Sequence, residues 1–122
     1  MARLGELERA VMEVLWAAGQ QGRSPVTARD VIEALPDREL ATTTVLTVLS
    51  RLEAKNLVVR IRDGRAHHYQ AVGTREDHIA GLMREVLGTA PDRTAALARF
   101  VDTVSAEEAA ALRLALRELE DP

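Results

Sequence analysis

The chain has no cysteine among its 122 residues, and it has only one Trp, one Tyr and one Phe. The absence of cysteine excludes disulfides, thiolate metal ligands and cysteine nucleophiles. The scarcity of aromatic residues predicts an aliphatic and largely helical core. A chain of this length can form one ordinary domain, or a small domain with an assembly segment.

Long apolar runs are also missing. The sequence contains no stretch of about 18 apolar residues that could span a membrane, and it lacks a charged, then apolar, then small-residue leader at its N-terminus. We therefore expect a cytoplasmic protein that does not insert into membranes.

Signatures of catalysis are missing as well. The sequence has no G-x-S-x-G motif, no glycine loop for phosphate and no helix with paired histidines, and its histidines stand at positions 67, 68 and 78. His67 and His68 cannot easily share a metal ion, because adjacent residues of a strand point to opposite faces. We expect no enzymatic activity, no cofactor and no metal.

The most informative segment that is present covers residues 40–70, and its first half has the pattern of an amphipathic helix. The apolar face repeats at a 3-4-3 spacing through Val45, Val48, Leu49 and Leu52. Thr42 or Thr43 is predicted to cap this helix, whose free N–H groups and positive dipole end suit a phosphate. Asn56 is predicted to stop it. The opposite face carries Thr43, Thr44, Thr47, Ser50 and Arg51.

The second half of the segment has the pattern of a β-hairpin. After Asn56 the apolar period changes from about 3.6 to about 2, and Asp63-Gly64 supplies a turn before a returning strand over residues 65–72. Three arginines therefore cluster around the hairpin tip, in a composition typical of a wing that contacts phosphates or a minor groove. These are Arg60, Arg62 and Arg65.

Charge is divided unevenly along the chain, whose formal net charge is -3. Residues 41–72 hold five basic and two acidic side chains, which is +3, whereas residues 73–122 hold six arginines and ten acids, which is -4. The basic charge therefore coincides with the predicted helix and hairpin, as a nucleic-acid-binding surface requires.

The segments before residue 40 complete the predicted order of helices and strands. A helix is predicted over residues 4–18 with Trp16 in the core, followed by a short strand at Ser24-Pro25-Val26. Thr27 to Asp30 resembles a capping box that opens a helix to Ala34 or Leu35, and Pro36 ends it. The order of helix, short strand, helix, turn, helix and hairpin predicts a winged helix-turn-helix. The predicted fold is mainly α with a small β-hairpin, and residues 1–72 form the DNA-binding domain.

Residues 73–122 have only helical patterns. Thr74, then Asp92 or Thr94, and then a capping box at Ser105 and Glu108 are predicted to begin three amphipathic helices. Because such short helices cannot bury their faces alone, we predict a three-helix dimerisation domain over residues 73–122. The alternative is a helical subdomain packed on its own winged helix in a monomer. The predicted dimer contacts are Ile79, Leu82, Val86, Leu112, Leu116 and Leu119.

Three motifs together resemble the penicillinase repressor family, the BlaI and MecI type of bacterial repressor, and especially its actinobacterial branch. They are E-x-x-V-M-x-x-L-W at residues 8–16, T-x-x-T-x-x-x-R-L at residues 44–52, and a wing that ends in Tyr69. The resemblance spans nearly the whole chain. It implies a homodimer that binds a dyad-symmetric operator in double-stranded DNA and blocks transcription, often of β-lactam resistance genes or of its own operon. For this chain we expect genes of β-lactam resistance or of cell-envelope stress.

The resemblance also assigns residues. Thr44, Thr47 and Arg51 match family positions that contact DNA, and Thr43 occurs in the actinobacterial pattern. Against the staphylococcal members, Ala41, Thr42, Thr43 and Leu46 depart from the family sequence, so the operator sequence stays open. The competing interpretations are a surface ion pair for Arg51 and a solvated hairpin for the three wing arginines.

The resemblance further implies a way of ending repression. In the classical members, induction uses a membrane sensor-protease and ends in cleavage of the repressor before a phenylalanine of the fifth helix. Phe100 matches that phenylalanine, but Arg99 stands where the familiar site has asparagine, so Phe100 could instead serve only in packing. The alternative function is a ligand-responsive winged helix of the MarR type, in which a small molecule releases the DNA.

Overall fold

The structure, a computed structural model, describes residues 4–121. The predicted order of elements is confirmed: in this range the fold is mainly α with a single β-hairpin. The elements are α1 (Glu6–Gln20), α2 (Ala28–Ala34), a 3-10 turn (Pro36–Arg38), α3 (Thr42–Ala54), β1 (Val58–Asp63), β2 (Ala66–Ala71), α4 (Arg75–Gly88), α5 (Arg93–Val101) and α6 (Ala106–Glu120).

Side-chain caps begin the helices largely where the sequence places them. Thr27 Oγ1 accepts a hydrogen bond from the Asp30 N–H at 3.1 Å, and Asp30 Oδ2 accepts one from the Thr27 N–H at 2.9 Å. The backbone bond from Thr27 lowers the pKa of Asp30 below its ordinary value, because it stabilises the carboxylate. The other predicted caps are formed as well, by Thr74 with Asp77, by Asp92, and by Ser105 with Glu108.

The core of the N-terminal part is aliphatic, as the composition predicts. It is built from one face each of α1, α2 and α3, closed by the first residue of β1 and by Tyr69 of β2. Trp16 is only 6% exposed, which confirms its predicted place in the core. The fully buried side chains of largest volume are Met12, Leu15, Leu49, Leu52, Val11, Val31, Val45 and Val58.

The hairpin differs from its prediction at the turn. Asp63 pairs with Ala66, so the two loop residues are Gly64 and Arg65 rather than Asp63 and Gly64. Gly64 has a φ of 65°, whereas Arg65 has no positive φ, and this combination is that of a type II′ turn. The predicted short strand is reduced to a bridge at Val26, which exchanges hydrogen bonds of 2.9 and 2.7 Å with Tyr69 of β2.

The chain divides into two compact units, one up to Leu82 and one from Met83 onward. The division falls within α4, about ten residues later than the predicted boundary between residues 72 and 73. The roles expected for the two parts, DNA binding and dimerisation, stay predictions. No helix among residues 4–121 is long and apolar enough to cross a membrane.

Candidate nucleic-acid interface

Helix α3 has one buried face and one exposed face. Val45, Val48, Leu49 and Leu52 are at most 5% exposed and anchor the helix in the core. Because these residues occupy one face, the residues between them are held outward at helical spacing. The outward residues are Thr43, Thr44, Leu46, Thr47, Ser50 and Arg51, all of them exposed.

The N-terminus of α3 is built differently from its prediction. Ala41, with an extended backbone at φ -76° and ψ 149°, is the N-cap, and Thr42 and Thr43 are already inside the helix. The predicted threonine cap is therefore wrong, because the chain enters the helix one residue earlier than the first threonine. No side chain caps this end, so no side chain occupies its first N–H groups. An anion such as a phosphate can accept hydrogen bonds from them.

The hydroxyl of Thr47 forms a hydrogen bond within the helix. Thr47 Oγ1 donates a hydrogen bond to the Thr43 carbonyl oxygen at 2.9 Å. Since a hydroxyl has a single hydrogen, Thr47 can offer an outside partner only its oxygen lone pairs and its methyl group.

Arg51 lies in the last turn of α3 and is exposed. Among residues 4–121, no carboxylate lies within salt-bridge distance of it. Its neighbour Lys55 is engaged, because Lys55 Nζ lies 2.7 Å from Glu8 Oε2 and 2.9 Å from Glu8 Oε1. Lys55 therefore holds α3 to α1, whereas the surface ion pair considered for Arg51 is not formed in the described part of the chain.

The arginines of the hairpin lie in three different settings. Arg60 is opposite Tyr69 and Arg62 is opposite His67, so these side chains share one face of the hairpin. Arg60 Nε lies 3.8 Å from Glu53 Oε2 of α3, so this face of the hairpin lies beside α3. The remaining contacts are at the turn, where Arg62 Nε donates to the Gly64 carbonyl at 3.3 Å and Arg65 is exposed in the loop.

Two residues that sequence reasoning left out of the site belong to these surfaces. Leu46 is 41% exposed on the outward face of α3. His67 is exposed on the hairpin face that carries Arg60 and Arg62. The signal for Leu46 was its helical spacing from Thr43 and Ser50, and the signal for His67 was its place in the strand register.

The other two histidines lie in partly or fully buried positions. The Nδ1 atoms of His68 and His78 are buried without a hydrogen-bond partner among the described residues. The His78 ring packs on Trp16 with 5.4 Å between centroids, and the Arg75 guanidinium lies 5.7 Å from the same indole. Within residues 4–121, no three His, Asp or Glu side chains are grouped to hold a metal ion.

The C-terminal helices leave their apolar side chains exposed in the single chain. Within residues 83–121 no residue is buried. Phe100 of α5 is 46% exposed, beside the exposed Arg99. Among the predicted dimer contacts the exposed fractions are 47% for Ile79, 62% for Val86, 38% for Leu112, 55% for Leu116 and 78% for Leu119, while Leu82 is half-buried.

A cleft of about 300 Å³ lies within the N-terminal unit. It is formed by the last turns of α1 and by the segment that joins β2 to α4. Its walls include Trp16, Gln20, Ser24, Val72 and Thr74.

Comparison with known proteins gives consistent results. The sequence profile of the penicillinase repressor family matches residues 4–118. Proteins named transcriptional regulator BlaI from two strains of Mycobacterium tuberculosis are each 54% identical over 124 residues, which cover 98% of this chain and 87% of theirs. The structure of the S. aureus MepR–DNA complex has a TM-score of 0.51 at 20% identity, covering 95% of this chain and 77% of that one.

The structural likeness shows the winged-helix fold alone, since the two sequences are so different. The profile match and the identity to the mycobacterial regulators span almost the whole chain, and they agree with the motifs at residues 8–16 and 44–52. The chain therefore belongs to the penicillinase repressor family and is a transcriptional regulator rather than an enzyme.

Proposed function

We propose that this protein is a repressor that binds a dyad-symmetric DNA operator as a homodimer. The observation that supports it best is the arrangement of α3 and the hairpin. Helix α3 has an uncapped N-terminus and an exposed polar stripe. The face of the hairpin that carries Arg60 and Arg62 lies beside this helix. In winged helix-turn-helix proteins such a helix enters the major groove while the flanking elements hold the backbone.

The base contacts are assigned to the exposed stripe of α3. Threonine side chains can reach base edges and thymine methyl groups, and an arginine can bind a guanine through two hydrogen bonds. Arg51 has its guanidinium available for this contact because it has no ion-pair partner among the described residues. The residues proposed to read bases are Thr43, Thr44, Thr47 and Arg51.

The phosphate contacts are assigned to Arg60, Arg62 and Arg65 of the hairpin. The carboxylate of Glu53 is 3.8 Å from Arg60, a distance at which an exposed pair contributes little and exchanges readily for a phosphate. Arg62 is already oriented by its bond to the turn, and Arg65 is exposed in the loop. The overall negative charge of the chain does not oppose this role, since residues 41–72 carry +3.

Dimerisation is assigned to the C-terminal helices. Five large aliphatic side chains of α4 and α6 are between 38 and 78% exposed in the single chain. Leaving them in water is unfavourable by about 25 cal/mol for each Å² of apolar surface, so a second copy that covers them stabilises the fold. The dimer would present two copies of α3 to successive major grooves, about 34 Å apart.

Repression would follow from exclusion of polymerase by the bound dimer in the cytoplasm. The mycobacterial relatives are named BlaI, and the matched family takes its name from penicillinase. This kinship supports genes of β-lactam resistance or of cell-envelope stress as the regulated set.

Release from DNA is assigned to proteolysis between Arg99 and Phe100, through a membrane sensor-protease. Both residues are exposed, and the nine-residue helix α5 that carries them has no buried residue. A helix with so few buried contacts opens locally at little cost in free energy, which is what a protease needs to bind an extended backbone.

A second candidate for release is a small ligand, as in regulators of the MarR type. The cleft of about 300 Å³ beside Trp16 supports it, because that volume is at the lower end of ligand sites in proteins. The two modes of release leave different products. Proteolysis leaves one fragment that ends at Arg99 and one that begins at Phe100, whereas a ligand leaves the chain intact.

The proposal is tested by footprinting the purified protein on DNA upstream of its own gene, with the mass of the complex measured by light scattering. We expect protection of a dyad-symmetric site and two protomers per duplex. Specific binding by one protomer would contradict the dimer, and absence of any protected site would contradict the operator assignment.

A further inference from the structure

We propose that Leu46 determines part of the operator specificity by packing against the methyl group of a thymine in the major groove. The inference rests on the proposed function, since it assumes that α3 is the helix that reads DNA. It adds a residue, and a base, that neither the family motifs nor the polar stripe assigns.

Leu46 is not needed to fill the core of the folded chain. The core is complete without it: Val45, Val48, Leu49 and Leu52 fill the inner face of α3 at 0–5% exposure. Leu46 is 41% exposed and is not among the apolar side chains that pack around the core cluster. Packing in the core therefore leaves a large part of this leucine in contact with water, where an outside partner can meet it.

Leu46 shares the outward face of α3 with polar side chains. It follows Thr43 by three residues and precedes Ser50 by four, so it lies in the middle of the outward stripe. A single exposed leucine on a protein surface is ordinary, but this one is flanked by the side chains that are proposed to enter the groove. When α3 enters the groove, Leu46 must lose its water there.

The four bases differ in what they offer an apolar side chain in the major groove. The base edges of the major groove present hydrogen-bond donors and acceptors, and their one apolar group is the C5-methyl of thymine. A cytosine amino group or a guanine O6 opposite Leu46 would lose hydration without gaining a hydrogen bond. Thymine is therefore the base that fits this side chain.

The test removes the methyl group and the leucine separately. Each thymine of the footprinted operator half-site is replaced in turn by uracil, which lacks only the methyl, and Kd is measured for the unchanged protein and for Leu46→Ala. We expect at least one position at which uracil weakens binding of the unchanged protein about fourfold per half-site, the effect of burying one methyl group. At one such position, the one that faces Leu46, the same replacement should change the Kd of Leu46→Ala by less than about 1.5-fold.

Alanine favours helix, so Leu46→Ala is expected to fold. Leu114→Ala is the matched control, because Leu114 is an exposed leucine of α6, and it should keep the full preference for thymine whatever its affinity. If the unchanged protein binds the operator but ignores every uracil, or if Leu46→Ala keeps the preference for thymine at every sensitive position, the inference is wrong while the proposed function stands. If the unchanged protein protects no site, both are wrong.

Discussion

Thr47 Oγ1 donates its hydrogen to the carbonyl oxygen of Thr43, 2.9 Å away and one helical turn earlier. The bond fixes the orientation of a side chain in the centre of the proposed reading surface. It also decides the chemistry, because the oxygen that remains can only accept hydrogen bonds. The groove donors that fit an acceptor are the amino groups of adenine and cytosine.

The substitution Thr47→Val replaces that oxygen by a methyl group of similar size. We expect operator affinity to fall about tenfold per half-site, as a lost hydrogen bond of roughly 1 kcal/mol or slightly more implies. Thr47→Ser keeps the oxygen and loses one methyl group, so its affinity should stay within about fourfold per half-site of the unchanged protein. Titrations of both variants against the footprinted operator measure the difference. Should valine bind as well as serine, the methyl group rather than the oxygen contacts the base.

Much of this surface follows from the sequence. The spacing of Val45, Val48, Leu49 and Leu52 fixes which face of α3 is buried, and it therefore fixes which threonines are exposed. The caps at Thr27, Asp92 and Ser105 were predictable from the sequence. At the start of a helix, a polar side-chain oxygen can accept a hydrogen bond from the free backbone N–H three residues later, and few other conformations satisfy the oxygen and the N–H together.

Other features depend on choices that the sequence leaves open. Three successive threonines and an alanine offer several starts for α3, and backbone geometry selects Ala41. The turn uses Gly64 and Arg65 because the pairing of Asp63 with Ala66 sets the register, and register depends on the packing of both strands. The Thr47 bond competes with solvent and depends on a side-chain rotamer, which no spacing rule specifies.

Replacing Arg51 and Arg62 by alanine should weaken DNA binding in two different ways. Arg51→Ala is expected to cost about 1–3 kcal/mol on the operator and to relax preference at one base pair, since it removes a contact with a base. Arg62→Ala should weaken binding to every sequence alike. It should also make the salt dependence shallower by about 2 per dimer, because each protomer loses one phosphate contact worth about 0.9.

Competition assays with operator and unrelated duplexes, at four salt concentrations, measure both effects. Arg113→Ala on α6 is the matched control, because it removes the same charge outside α3 and the hairpin. Equal losses on operator and unrelated DNA for Arg51→Ala would contradict its assignment as a base contact.

The exposed stripe of α6 leads to a prediction about assembly. Leu116 is 55% exposed in the single chain, and an aspartate there would carry a charge into the proposed dimer contact. Leu116→Asp is expected to give monomers and to weaken operator binding at least a hundredfold, because each half-site would then be bound separately. Light scattering and gel shift check the two effects.

Ala110→Asp adds the same charge to the same helix on the side away from Leu112 and Leu116, and should stay dimeric. A dimeric Leu116→Asp variant would place the interface elsewhere. A monomeric Ala110→Asp variant would show instead that α6 tolerates no added charge.

Glu8 holds two parts of the N-terminal unit together. Its carboxylate accepts hydrogen bonds from Lys55 Nζ and from the Gly5 N–H, and these bonds, the Lys55 bond first, lower the pKa of Glu8 below its ordinary 4.5. Since the pKa is lowered on folding, the stabilisation is fully present above about pH 5 and is lost as the pH falls through the folded value. Acid should therefore destabilise the fold through this pair.

Glu8→Gln keeps an oxygen for the Gly5 cap but removes the charge that faces Lys55. We expect the free energy of unfolding at pH 7 to fall by about 1 kcal/mol, and the difference from the unchanged protein to shrink as the pH drops to 3. Urea unfolding at several pH values measures it. Glu33→Gln, which alters the exposed pair with Arg29, should cost much less. A Glu8→Gln difference that does not vary with pH would show that the charge of Glu8 does not matter.

The most direct test of the whole account is the salt dependence of operator binding. If about eight phosphates are neutralised by a dimer through its arginines and the ends of its reading helices, the slope of log affinity against log salt should be about -7. Kd for the footprinted site, measured at five salt concentrations between about 50 and 300 mM, gives that slope. A slope near -7 is the result that we predict. A slope near zero would contradict DNA binding by α3 and the hairpin.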